Sequence, residues 1–105
     1  MALTKQYLKT RPVCKVTFRL PKKAAPQAKR VHLVGDFNDW NTQTMPMQRL
    51  KSGEFKLVVD LSTGRDYAFR YLIDQKIWEN DWEADRYIPS PYEGVNNSIV
   101  SLPSK

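Results

Sequence analysis

The side chains of this chain that could do chemistry are aromatic rather than catalytic. Its 105 residues hold one histidine, His32, and one cysteine, Cys14. That pair cannot supply the four ligands of a zinc site, and no glycine-rich phosphate loop is present. His32 lies inside an aliphatic run, as a surface or packed strand residue would. Cys14 falls on the apolar side of an alternating stretch and reads as core rather than nucleophile. Glu79, Asp81, Glu83 and Asp85 alternate along one segment. They lack the glycine turn and the Asp/Asn ligand pattern of a calcium loop, so a solvated acidic loop is expected there. A paired-carboxylate glycosidase needs a cleft for which so small a chain leaves little material. We therefore expect no catalytic residue, no metal and no cofactor.

The aromatic inventory is richer. Trp40, Trp78 and Trp82 lie in or beside loops, as do Tyr87 and Tyr92. An indole presented on a loop either plugs the end of a sandwich or offers a recognition surface. Its flat face suits the apolar C–H face of a sugar ring, and Lys, Arg, Asn or Asp nearby can bond the hydroxyls. The alternatives meet most sharply in Val31-His-Leu-Val-Gly-Asp-Phe-Asn-Asp-Trp40. That stretch begins as a strand and ends in a polar turn, with Asn38 and Asp39 as turn formers. Composition alone leaves both readings of Trp40 open.

The elements that must position these residues read as strands. Residues 14–20 alternate strictly, with Cys14, Val16, Phe18 and Leu20 inward. Residues 31–34 form a second strand, and residues 47–50 allow a short one. In 55–61, Phe55, Leu57, Val59 and Leu61 share a face. The strongest pattern is 66–74, with Tyr67, Phe69, Tyr71 and Ile73 on one side and Ala68, Arg70 and Leu72 on the other. Residues 77–79 fit a short hairpin partner, 80–95 a polar loop containing Pro89 and Pro91, and 97–102 a closing strand. No segment has a capped helical period. About seven short strands separated by turns imply an all-β, immunoglobulin-like antiparallel β-sandwich. The absence of a Cys-Trp-Cys pattern excludes an antibody-type domain.

The length indicates a single domain, with a sandwich over 13–102, an arm over 1–12 and a tail over 103–105. Its two ends resemble those of a free-standing protein. A lone cysteine excludes an intrachain disulfide framework. No apolar run approaches a membrane span and the N-terminus lacks a signal-peptide core, so a soluble, cytoplasmic protein is expected, with no membrane partner. The formal charge is +6, unevenly spread. Residues 1–30 carry nine Lys or Arg and no acid, whereas 31–105 carry eight basic and eleven acidic residues. The basic arm, expected to be loose or partly ordered, reads first as a solubilising lead-in plus the outward face of a first strand, with docking to an acidic protein partner as the alternative. Nucleic acid is not expected, because its cations are not interleaved with stacking aromatics.

Gly35-Asp-Phe-Asn-Asp-Trp40 resembles the Gly-x-Phe-Asn-x-Trp signature of the glycogen-binding domain of AMP-activated protein kinase β subunits. It is equally similar to the N-terminal early-set domains of isoamylases and glycogen branching enzymes, which together form carbohydrate-binding module family 48. Further pieces follow in order: the Leu61-Ser-Thr-Gly64 turn, the strand Tyr67-Ala-Phe-Arg-Tyr-Leu-Ile-Asp74, the turn Trp78-Glu-Asn-Asp81, and Gly94-Val-Asn-Asn97. The resemblance implies an early-set sandwich and a non-catalytic module for α-glucan (glycogen, starch or malto-oligosaccharide). It implies that Trp40 and Trp78 stack on the glucan, with polar contacts from Arg70 and Asn96 and a further one near Tyr92. A regulatory, protein-binding domain that keeps the fold is the alternative. The turn from Asp74 to Trp78 is one residue longer than in the kinase members, which leaves the placement of Trp78 open.

Overall fold

The structure, a computed structural model, describes residues 3–91 and 95–104. Strict alternation builds the first sheet. In β2 (Val13–Leu20), Cys14, Val16, Phe18 and Leu20 point inward and are at most 1% exposed. β5 (Phe55–Ser62) runs antiparallel to it, with Val59 opposite Val16 and Leu57 opposite Phe18. β1 (Leu3–Tyr7) and the two-residue β4 (Gln48–Arg49) complete the order β1-β2-β5-β4.

The second sheet is organised on β6 (Arg65–Ile73). β3 (Val31–Gly35) holds one edge of it, pairing residues 69–73. Two strands share the other edge: β9 (Asn96–Leu102) covers residues 65–69, and β7 (Ile77–Glu79) covers residues 71–73. β8 (Arg86–Pro89) lies outside β9. The two sheets pack face to face as an antiparallel β-sandwich. Phe18 and Phe69 meet edge to face across the middle, with ring centroids 5.0 Å apart at 76°. Phe37 sits beside them, 5.6 Å from Phe18. Edge-to-face rings add to their area burial through the quadrupole of the π system.

Three expectations change. Residues 3–7 of the arm, expected to be loose or partly ordered, form β1. Leu3 enters the core, and Lys5 occupies a position where an apolar residue would have shown the alternation. Lys5 Nζ instead reaches Asp85 at 2.7 Å and the Ser101 carbonyl at 2.9 Å, tying the edge of one sheet to the other. Residues 80–95 are not one loop. They contain β8, an edge strand that ends on Pro89, where a missing N–H does little harm. With β1 and β8 included, nine strands are present among the described residues, against the expected seven or so.

The third change concerns Asp81, which is 1% exposed rather than solvated. Its Oδ2 accepts the Tyr71 hydroxyl at 2.7 Å, its Oδ1 accepts the Glu83 amide at 2.8 Å, and its own amide donates to Ser98 Oγ at 2.8 Å. A buried carboxylate is tolerable only when its oxygens are bonded in this way. Burial, and then the neighbouring Asp81 charge, push the Tyr71 hydroxyl well up, so it stays a donor. Among the described residues no buried side-chain polar atom lacks a partner.

Candidate functional site: a guanidinium between two indoles

Arg70 stands in the middle of β6 on the face turned away from the core. The β3 register places Val34 beside it, and the β7 register places Trp78 opposite Leu72, two residues along the same face. Val34, Ala68, Leu72 and Ile99 are buried although they take no part in the central core cluster. They form a second apolar layer on the outer face, under residues contributed by the loops.

Trp40 reaches this face by way of a tight turn. Gly35 ends β3 where a Cβ would come within 2.5 Å of the Ala68 carbonyl and 2.8 Å of Phe69 Cβ, so only glycine fits. A short 3-10 turn, Asp36–Asn38, follows. Asn38 folds back so that its Oδ1 accepts the Gly35 amide at 3.0 Å. Asp39 and Trp40 then both adopt left-handed backbone, with φ of 55° and 56°. For residues with a Cβ that conformation costs about 1–2 kcal/mol each and persists only when surrounding bonds hold it. Those bonds are the Trp40 amide to the Gly35 carbonyl at 2.9 Å and Trp40 Nε1 to Asp36 Oδ1 at 2.8 Å. Asp36 Oδ2 in turn accepts the Ala68 amide at 2.8 Å, so one carboxylate anchors the indole to β6.

Trp78 reaches the same face from the opposite side. Asp74 and Gln75 carry φ of 51° and 58° in a turn closed by the Lys76 amide on the Ile73 carbonyl at 3.0 Å. Left-handed central residues match the twist of a hairpin. Gln75 Nε2 donates to the Thr42 carbonyl at 2.8 Å, which links this turn to the loop that follows Trp40. The longer turn therefore keeps Trp78 on the outer face.

The guanidinium carbon of Arg70 lies 5.8 Å from the Trp40 ring centroid and 5.2 Å from that of Trp78. The two indoles thus flank one cation, and their centroids are no farther apart than those two spans combined. A guanidinium near an indole face is attracted by about 0.5–2 kcal/mol depending on solvation. Arg70 Nε donates to Asn97 Oδ1 at 2.9 Å, which orients its plane. Trp78 is 44% exposed, Trp40 is half-buried, and a groove of about 430 Å³ runs from Trp40 and Arg70 past Asn97 to Ile88 and Pro89.

Of the five residues expected at the site, the structure brings together Trp40, Trp78 and Arg70. Asn96 is exposed at the start of β9, and its carbonyl accepts Asn80 Nδ2 at 2.9 Å. The asparagine bonded to Arg70 is its neighbour Asn97, which is 7% exposed. Tyr92 lies outside the described residues. Trp82 is 53% exposed. Asp36 and Asn97 were not expected at the site. Asp36 differs from Asp39 by nothing in composition, and Asn97 becomes visible only once the β6–β9 register is known. Cys14 is fully buried, as its alternation predicts. Among the described residues no three His, Cys, Asp or Glu cluster as metal ligands, and no helix is long and apolar enough to cross a membrane.

The chain is similar to parts of known proteins. A 1,4-alpha-glucan branching enzyme GlgB from Deinococcus radiodurans is 47% identical over 47 residues, which is 44% of this chain and 7% of the enzyme. The enzyme of the same name from Photobacterium profundum is 44% identical over 46 residues, 43% of this chain and 6% of the enzyme. That from Rhodopseudomonas palustris is 42% identical over 52 residues, 49% of this chain and 7% of the enzyme. The chain therefore spans only a small part of the length of these relatives. The family profile of carbohydrate-binding module 48, the isoamylase N-terminal domain, matches residues 15–92. The chain belongs to that family of carbohydrate-binding modules.

Proposed function

We propose that this chain is a non-catalytic α-glucan-binding module whose sugar lies along the outer face of β6. The observation that carries the reading is the placement of Trp40 and Trp78 on either side of Arg70, on one face. In this reading the indoles stack on the apolar faces of successive glucose rings, and Arg70, held by Asn97, meets the hydroxyls. Asn96 and Tyr92 add polar contacts, as the family resemblance implies. The relatives named for α-glucan branching support the choice of an α-linked glucan. A shallow exposed site buries few ligand atoms, so affinity is modest.

The test is electrophoresis in native gels containing glycogen, run toward the cathode because the chain carries a charge of +6. The reading expects retardation that is lost in Trp40→Ala and Trp78→Ala. Equal mobility with and without glycogen, together with tryptophan fluorescence unmoved by maltoheptaose, would refute it.

A further inference from the structure

A second cleft lies along β3 and β4, at the end of the sandwich where the Asp74–Gln75 turn bonds the chain just before β3. Its volume is about 300 Å³, and it is lined by Lys29, Arg30, His32 and Arg49 above the buried side chains of Met47 and Phe55. No acidic residue lines it. Lys5, Lys15, Arg19 and Arg86 each pair with a carboxylate, yet among the described residues neither Arg30 nor Arg49 forms an ion pair. Two acids adjoin its lining residues, Glu54 and Asp74. Glu54 bonds Arg19 at 3.2 Å. Asp74 Oδ1 accepts the backbone amides of Lys29 and Arg30, each at 2.9 Å.

His32 adds an imidazole. Gln75 Nε2 donates to the Thr42 carbonyl at 2.8 Å and faces His32 Nδ1 at 3.2 Å, which holds the ring beside the cleft. Arg30, Arg49, Lys29 and His32 thus line one concave site together with the buried Met47 and Phe55. Asp74 offsets one of the three cations and leaves a local excess of two positive charges. That matches a phosphate monoester, which carries close to two negative charges near neutral pH and several strong acceptor oxygens.

We propose that this cleft binds a phosphate monoester, through Arg30 and Arg49 with Lys29 and His32. The bidentate fork of arginine suits phosphate oxygens better than a point charge does. The cations are exposed, so binding weakens as salt rises.

The test follows backbone amide resonances of the intact chain at fixed ionic strength during titration with sodium phosphate, glucose 6-phosphate or adenosine monophosphate, against sodium chloride. Saturable shifts of residues 29–32 and 47–49 are expected with the phosphates and not with chloride. Tighter binding of glucose 6-phosphate would identify a sugar ester as the source, and tighter binding of adenosine monophosphate a nucleotide. Equal binding of all three would place the recognition in the phosphate group itself. The Arg30→Ala/Arg49→Ala double variant changes only exposed side chains and should weaken binding at least tenfold with its spectrum otherwise intact. Lys22→Ala/Lys23→Ala, which removes two cations outside the cleft, should leave binding unchanged. Shifts that chloride reproduces, shifts that never saturate, or equal losses in the two double variants would overturn the proposal.

Discussion

On the inward face of β6, Phe69 meets Phe18 edge to face at 5.0 Å and Tyr71 at 5.7 Å, and the contacts continue through Phe37 to Tyr67. On the outward face, Ala68 and Leu72 are almost as buried, at 7% and 4% exposed. The covers differ in kind. Inside, the cover is another sheet, held by its own ladder. Outside, Trp40 comes from a turn with two left-handed residues and Trp78 from a three-residue strand, with Arg70 between them. Burial alone therefore does not separate core from site in this strand. The distinction lies in whether the covering group is locked by packing against a sheet or held in place by a few directed bonds, as the Trp40 indole is by Asp36. A surface of the second kind keeps flat apolar rings accessible to a ligand.

Phe69 separates the two faces of β6 most sharply. Phe69→Ala should cost about 3–5 kcal/mol of stability in urea unfolding, by lost transfer energy plus an unfilled cavity. The folded fraction should still bind maltoheptaose with little change in affinity. A loss of sugar binding in fully folded Phe69→Ala would show that the two faces are not separable.

The inward side also carries the buried Asp81. Its burial raises its carboxyl above the usual range, against the opposing pull of the bonds from Tyr71 and the Glu83 amide. The folded chain then holds this proton more tightly than the unfolded chain does. Its contribution is thus fully present below the unfolded value of about 4 and is lost as pH rises through the folded pKa. Asp74 behaves in the opposite sense. The Arg30 amide, chief among its partners, lowers its pKa, so its contribution is present above the unfolded value and is lost as pH falls through the folded one. Asp81→Asn should therefore flatten the decline in stability above about pH 4 and leave the acid-side loss in place. Tyr71 keeps a second acceptor, the Arg19 carbonyl at 3.3 Å, in that variant. Urea titrations across pH check this, and an unchanged slope above pH 4 would remove Asp81 as its cause.

A smaller effect sharpens the outward side. Asp36→Asn keeps the shape of the side chain but loses the charge that holds Trp40 Nε1 and the Ala68 amide. It should weaken glucan binding a few-fold, in keeping with about 0.5–1.5 kcal/mol for one hydrogen bond. The readout is the concentration of glycogen needed for half-maximal retardation, with stability followed separately.

Much of this arrangement was legible in the sequence, for identifiable reasons. The alternation of Cys14, Val16, Phe18 and Leu20 fixes an inward face without knowledge of any partner, and the same logic put Arg70 opposite Tyr67, Phe69 and Tyr71. Trp40 was marked by its motif. What stayed hidden depended on pairing. β1 was obscured because Lys5 fills an inward position and is satisfied by Asp85 and Ser101 on the other sheet. β8 is exposed at all four residues and ends in proline, so it carries no apolar pattern. Asn97, rather than Asn96, meets Arg70 because of the β6–β9 register, which period-two patterning does not specify. Asp81 looked like one of four solvated acids until Tyr71 and Ser98 were brought to it across the fold.

We propose that Trp40 and Trp78 act on one sugar chain across Arg70. Its most direct test is a double-mutant cycle, by calorimetric titration of maltoheptaose into the wild type, Trp40→Ala, Trp78→Ala and the double variant, with Trp82→Ala as the control. The account predicts that each single variant loses about tenfold or more in affinity, near 1.4 kcal/mol. The double variant should lose clearly less than the sum of the two, and Trp82→Ala nothing measurable. Losses that add to within about 0.5 kcal/mol, as for independent sites, or a loss in Trp82→Ala equal to that in Trp40→Ala, would contradict it.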